Sequence, residues 1–165
     1  MAVDYLLKVE GPKVEGEATQ TGYEKQIVLY NYSFGVSQPG GYGMGGAGQA
    51  RGRAQPSDLS YSKKVDDSTP LIYGHCCTGT HFDKITLTAL KDTDSGRKPY
   101  FVAEMGKCMV TSLNTSGGSG GDDVAMESGS INFSDIKFTF YTQDAKGAMA
   151  QGQQCQYDFK TAQKT

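Results

Sequence analysis

DSTPLIYGHCCTG, residues 67–79, is the one segment of this chain with a complete helical signature. Asp67, Ser68 and Thr69 offer side-chain oxygens that accept from the free amides at a helix N-terminus, and Pro70 has its φ already set for the first helical position. Gly79 can take the left-handed conformation that closes a helix, and Leu71, Ile72 and Cys76 supply an apolar side. A helix of about nine residues is marginal alone in water, so it needs a sheet to bury that side. The segments around it read as strands. The expected architecture is mainly β: a β-barrel of two packed antiparallel sheets, with this helix plugging or flanking it.

Working outward, Ser57 to Lys64 alternates with Leu59 and Tyr61 inward. Upstream, QIVLYNYSFGV (26–36) places Val28, Tyr30, Tyr32 and Phe34 on an aromatic core face and Leu29, Asn31 and Ser33 on a mostly small, polar face. Between these two strands, eight glycines from Gly35 to Gly52 make a long extended arm, too permissive for a hairpin turn. Val3 to Val9 is a first strand with Tyr5, Leu7 and Val9 on one face. Downstream, Ile85, Leu87 and Ala89 alternate with Lys84, Thr86 and Thr88, and Asp92 to Gly96 makes a turn. The strand from Tyr100 to Thr115 carries apolar residues on both parities, Phe101, Ala103 and Met105 against Tyr100 and Val102. In INFSDIKFTFY (131–141) the inward set passes from Ile131 and Phe133 to Ile136, Phe138 and Phe140, which predicts a β-bulge at Ser134-Asp135. A loop from Thr142 to Gly152 precedes a last strand with Cys155, Tyr157 and Phe159 on one side. The sum is about seven strands.

With 165 residues the chain suits one domain, 1–165. Twenty-two glycines, ten tyrosines, seven phenylalanines and no tryptophan favour strands and turns. A formal charge of −2 gives no basic field, which argues against nucleic acid as a partner. The sequence has no apolar run long enough to span a membrane, and its start has neither the basic region nor the long apolar region of a Sec signal. Cys76, Cys77, Cys108 and Cys155 form no CxxC and read as reduced core cysteines of a protein folded in the cytosol.

Each chemical motif has a plainer reading. Gly41, Gly43 and Gly46 match GxGxxG, but AGQARG cannot supply the helix that a phosphate cradle requires. His75, Cys76, Cys77 and His81 are possible ligands, yet adjacent helical cysteines point about 100° apart and rarely share a metal. Asp92, Asp94 and Gly96 resemble a calcium loop with the glycine one place early and Ala103 where the bidentate glutamate belongs, so they read as a turn. Asp122 and Asp123 lack a nearby His or third acid and read as solvated loop carboxylates. No catalytic constellation, cofactor site or metal site emerges.

The order of segments resembles one family along nearly the whole chain: the hemolysin-coregulated proteins, Hcp, tube-forming proteins of the bacterial type VI secretion system. MAVDYLLKVEG resembles its first strand, and VLYNYSFGVSQPG with the GGAG arm its next strand and extended loop. SDLSYSKKVDDSTPLIYGHCCTGTHF is similar to its strand, capped helix and cysteine-bearing helix end. VTSLNTSGGSGGDDVAMESGSINFSDIKFTFY resembles its late strand pair, and YDFK sits where the family closes its barrel. The resemblance implies a non-enzymatic subunit that forms hexameric rings stacking into the inner tube of a contractile injector. It implies as partners effector proteins in the lumen, a sheath outside and a spike at the tip. It also implies cytoplasmic residence until assembly, then export through the apparatus without a signal peptide. The polar face of Asn31 and Ser33 suits the lumen, with Ser33 facing the channel. The arm Gly40, Gly41, Tyr42, Gly43, Met44, Gly45, Gly46 and Gly48 costs much entropy to order and makes sense if it orders on another subunit or ring.

Two other readings compete. One is a monomeric barrel whose aromatics line a cavity for a small ligand or sugar. The other is a hydrolase using Cys76 or Cys77 with His75 or His81.

Overall fold

The computed structural model describes residues 3–40, 52–121 and 124–165. The element order is β1 (Val3–Glu10), β2 (Ile27–Leu29), β3 (Asn31–Ser33), β4 (Val36–Ser37), β5 (Gln55–Pro56), β6 (Leu59–Lys64), α1 (Ser68–Thr78), β7 (His81–Thr93), β8 (Gly96–Ser116), β9 (Met126–Asn132), β10 (Asp135–Gln143), β11 (Met149–Asp158) and β12 (Gln163–Lys164). The fold is mainly β with one helix among the described residues, as expected, but the strands are more numerous than the alternation alone suggests, because 26–36 breaks into short pieces while β7 and β8 run longer. All pairings are antiparallel, in one large branched sheet and the small β4–β5 ribbon.

β8 organises the large sheet. At 21 residues it is too long to lie flat in one layer, and it turns at Gly106-Lys107, where Lys107 has φ 51°. A Cβ on Gly106 would meet the Asp135 carboxylate at 2.5 Å, so glycine permits that approach. Before the turn β8 pairs with β7 and β10; beyond it, β8 still meets the first residues of β7 at Cys108 and Met109 and then pairs with β9. The buried parity shifts accordingly, from Phe101, Ala103 and Met105 to Cys108 and Val110. From β8 the ladder runs one way through β7 and β1 to β2, and the other through β9 and β6 to β3. Only Tyr30 separates β2 from β3, and its amide donates to the Ser62 carbonyl at 2.8 Å. The ladder is interrupted at this seam, where β2 and β3 do not pair, so the sheet curls toward a barrel without closing.

The seam corrects the expected parity of residues 26–36. Ile27 and Leu29 are buried, Val28 and Tyr30 are exposed, and beyond Tyr30 it is Tyr32 and Phe34 that turn inward. A second correction concerns residues 131–141. The parity change there is a corner between two strands that pair with different halves of β8, not a bulge within one strand. A bulge does occur further on, between Thr139 and Tyr141, and it leaves Phe140 exposed and Thr139 buried. The expected loop over 142–152 contracts to the turn between β10 and β11, held by Asp144 Oδ1, which accepts from the amides of Lys146 at 2.9 Å and Ala148 at 2.8 Å. The Asp92–Gly96 segment is the expected turn, at the tip of the β7–β8 hairpin.

α1 has eleven residues rather than about nine. Its cap comes from Asp66 rather than Asp67: Asp66 Oδ1 accepts from the Ser68 amide at 2.9 Å, and the Asp66 amide donates to Thr69 Oγ1 at 3.2 Å. Pro70 stands at the third helical position, still within the first turn, where no intrahelical donor is lost. Gly79 closes the helix with φ 63°, its amide donating to Cys76 O at 3.3 Å, while the Thr80 amide donates to His75 O at 3.0 Å. Ile72 is buried but Leu71 is exposed, so the apolar side is one residue narrower than expected.

What holds the helix down is its polar N-terminal end. Lys63, inward on β6, is fully buried, and its Nζ lies 3.1 Å from Glu127 Oε2, 2.7 Å from Asp66 Oδ1 and 3.1 Å from Thr69 Oγ1. Thr69 Oγ1 and Tyr61 Oη both donate to the buried Glu127 carboxylate, the latter at 2.9 Å. Burial pushes the Tyr61 phenol far above its ordinary range, so it remains a donor. Removing one member of such a pair strands a buried charge. Glu127→Ala is expected to cost about 3–5 kcal/mol in urea unfolding, whereas a joint Lys63→Met, Glu127→Leu replacement should recover most of that loss. Equal loss in both variants would show that packing, not the stranded ammonium, sets the cost.

Candidate functional site

β6 sends Leu59, Tyr61 and Lys63 into the core, which leaves Ser60, Ser62 and Lys64 outward. The registers carry this alternation across four strands. Asn31 lies opposite Ser62, Ser62 opposite Ser128, and Ser128 opposite Asn114. One step along, Ser33 lies opposite Ser60, Ser60 opposite Ser130, and Ser130 opposite Ser112. These two rows make a surface of six serines and two asparagines, with no charge and no large apolar side chain. The hydroxyls cross-link: Ser112 and Ser130 are hydrogen-bonded to one another, and Thr111 Oγ1 is 3.2 Å from Ser130 Oγ. At one end of the rows, Asp58 accepts from Thr111 Oγ1 at 2.7 Å and from Asn132 Nδ2 at 2.8 Å. At the other, Lys64 Nζ lies 5.7 Å from the centroid of the Tyr30 ring.

Gly129 sits between the rows on the inner side, where a Cβ would come within 2.7 Å of the Tyr61 ring. Its lack of a side chain lets Tyr61 lie across β9 and reach Glu127, which fixes β6 against β9.

Asn31 and Ser33 are exposed on this face, as the alternation around Tyr32 and Phe34 implied. Sequence reasoning missed Ser60, Ser62, Ser112, Asn114, Ser128 and Ser130, although Ser-x-Ser at 60–62 and 128–130 carried the signal. Of the glycine arm, Gly40 is described and lies outside any strand, while Gly41, Tyr42, Gly43, Met44, Gly45, Gly46 and Gly48 lie outside the described residues, as do Asp122 and Asp123.

A second surface adjoins the Phe34 end of the polar face. Phe34, Val36 and Ala54 on one side and Phe133, Phe138 and Tyr157 on the other line an open apolar groove of about 340 Å³. Phe34 and Phe101 both pack edge-on against Phe138, with centroids 6.0 Å and 4.6 Å away. Cys155 lines this groove and is exposed, so it is not the core cysteine expected.

Among the described residues no thiol is hydrogen-bonded to an imidazole. His75 Nδ1 pairs with Thr80 Oγ1 at 3.1 Å and its ring packs on Phe82. Cys77 is exposed and Cys76 half-buried, so only Cys108 meets the expectation of a buried core cysteine. Burial pushes the Cys108 thiol up to about 12, and its Sγ donates to Met105 O at 3.2 Å. Among the described residues no three His, Cys, Asp or Glu side chains are grouped to hold a metal ion, and no helix is long and apolar enough to cross a membrane.

The family model described as "Type VI secretion system effector, Hcp" matches residues 6–140. The chain belongs to the Hcp family. Protein hcp1 of Pseudomonas aeruginosa is 34% identical over 148 residues, covering 90% of this chain and 89% of that protein. Among solved structures, one titled as a type six secretion system protein superposes with a TM-score of 0.90 at 21% identity, covering 99% of this chain and all of the other. Hcp1 from Salmonella typhimurium superposes with a TM-score of 0.77 at 20% identity, and both chains are fully covered. These structures share the fold, and the family places the chain in the type VI secretion system.

Thiolate is the reactive form, and a shift from about 9 to about 12 lowers its fraction near pH 8 by roughly a thousandfold. In the native chain at pH 8, Cys108 is therefore expected to resist iodoacetamide until denaturant is added, which peptide mapping by mass spectrometry checks. Labelling of native Cys108 as fast as a free thiol would contradict its burial.

Proposed function

We propose that this Hcp-family chain acts as a single-domain structural subunit that closes into hexameric rings, stacks into the inner tube of the type VI injector, and leaves the cell through it. The observation that carries this reading is the uncharged serine and asparagine face on a chain that matches the family across residues 6–140. On this reading the face is the channel wall and Asn31 and Ser33 contact effector cargo, while a sheath surrounds the tube and a spike sits at its tip. The glycine arm from Gly40 to Gly48 then orders on a neighbouring subunit or ring. The chain resides in the cytoplasm until it assembles, and no catalysis is required of it.

Short hydroxyl and amide side chains support such a role physically. Each donates and accepts, so each can bind polar protein surface, yet each exchanges readily with water and adds only about 1 kcal/mol net. The rival reading, a monomeric ligand-binding barrel, calls for a few convergent polar groups to orient a small molecule, whereas the described lining of the groove is almost wholly apolar.

Light scattering on a size-exclusion column, with electron microscopy of the peak, is expected to give about six subunits and ring-shaped particles. A monomer at every concentration would instead favour the ligand-binding barrel. Ser33→Gln should preserve the ring and weaken retention of a co-expressed effector. Loss of the ring itself would place Ser33 in a subunit interface.

A further inference from the structure

Asp58, Ser60, Ser62 and Lys64 follow one another on the outer side of the β6 line, because alternate residues of a strand share a face. Opposite charges thus stand at the two ends of the polar face, separated by roughly 20 Å at ~3.3 Å per residue. Asp58 is held by neutral donors, Thr111 Oγ1 at 2.7 Å and Asn132 Nδ2 at 2.8 Å, and neither of them cancels its charge. Lys64 is exposed, lies over the Tyr30 ring and faces Met126 and, beyond it, Ser116 along the ladder. Glu17 borders the depression beside Lys64 without pairing with it. Neither Asp58 nor Lys64 enters an ion pair among the described residues.

At physiological ionic strength the Debye length is about 8 Å, well short of the distance between these two charges. A protein lying against the face therefore meets each charge separately rather than a neutral sum. Between them, the serine and asparagine rows offer short-range hydrogen bonds that donate and accept alike, so they do not tell one end of a bound polypeptide from the other. Only the end charges can. We infer that the face sets the direction of its cargo: a polypeptide lies with its basic segment at the Asp58 end and its acidic segment at the Lys64 end. This rests on the channel-wall reading proposed above and adds the orientation in which cargo is held. A ring about one axis repeats the same order in every subunit, with no two-fold to reverse it, so the copies act in concert.

The probe is a synthetic peptide without net charge, in which an arginine block and a glutamate block are separated by about six neutral residues, ~20 Å when extended. It carries a benzophenone beside one block or the other and is photo-cross-linked to the assembled chain at about 0.15 M salt. Peptide mapping by mass spectrometry should place the arginine-side cross-links at Thr111 and Asn132 and the glutamate-side ones at Met126 and Ser116, each about fivefold over the opposite end. Asp58→Asn should abolish the first preference and Lys64→Gln the second, with the light-scattering mass of the assembly unchanged. Because Lys64 is exposed, the second variant keeps the test intact even where the first fails to fold. In about 1 M salt, where the Debye length is ~3 Å, both preferences should vanish. Equal marking of the two ends, marking that leaves the face, or preferences untouched by either substitution would overturn the inferred direction while the ring stands. A monomeric unmodified chain would overturn the channel reading on which it rests.

Discussion

Lys63 is the constraint on which the rest of the molecule hangs. An ammonium group with no exposed surface is costly to desolvate, and its position is tolerable only because four oxygens surround it: Glu127, Asp66, Thr69 and the Lys64 carbonyl. Those oxygens come from β9, from the segment before α1, from the first turn of α1 and from β6 itself. None of them can be placed without the others, so helix and sheet dock together or not at all. The pair adds little net stability compared with a well-packed apolar substitute. Its contribution is to make alternative dockings of the helix expensive, since each would leave a buried charge without a partner.

The same pair sets the strand register, and through it the outer face. Lys63 lies directly opposite Glu127 in the β6–β9 ladder. A slip by one residue would turn Lys63 outward and drive Ser62 into the core, exchanging every side chain between faces. Serine-rich strands such as β6 and β9 specify register poorly by hydrophobic pattern alone, because their small polar residues are nearly indifferent to exposure. The buried charges, with Tyr61 lying over Gly129, supply the specificity that the serines lack. Ser62 then falls opposite Ser128 and Ser60 opposite Ser130. The neutral face is thus a consequence of what lies beneath it.

Much of this was legible in the chain, and the failures have physical causes. Alternation placed Leu59 and Tyr61 inward, Asn31 and Ser33 outward, and Ile85, Leu87 and Ala89 inward, because period two holds over those runs; in β7 it ends at Ala89, where the register with β8 shifts and Leu90 is buried too. Lys63 was not legible, since a lone lysine at the end of a polar strand reads as solvated unless its partners, three and sixty-four residues away, are known to converge. The parity of 26–36 failed at Tyr30, where one segment changes partner from β1 to β6 and spends a residue doing so. Residues 131–141 failed in kind: a change of inward parity is the same signal for a bulge and for a corner between strands, and only pairing with the two halves of β8 separates them. The cysteines misled because burial is a tendency of that residue type, and Cys155 sits on a strand that is largely exposed among the described residues.

A face built from serine and asparagine also limits how a conduit can treat its cargo. A charged wall would hold oppositely charged proteins through many long-range contacts and repel the rest, with strong dependence on salt. An apolar wall would exact the full cost of re-exposing buried surface when cargo leaves. The two neutral rows avoid both outcomes, confining charge to Lys64 at one end and Asp58 at the other, where each is already engaged by a neighbour. On the proposed reading, retention therefore arises from many weak, short-range hydrogen bonds summed over a repeated subunit. Each copy adds little, so affinity grows with the number of copies a cargo touches. Release then requires only that the subunits part, because no single contact is strong enough to hold a protein by itself.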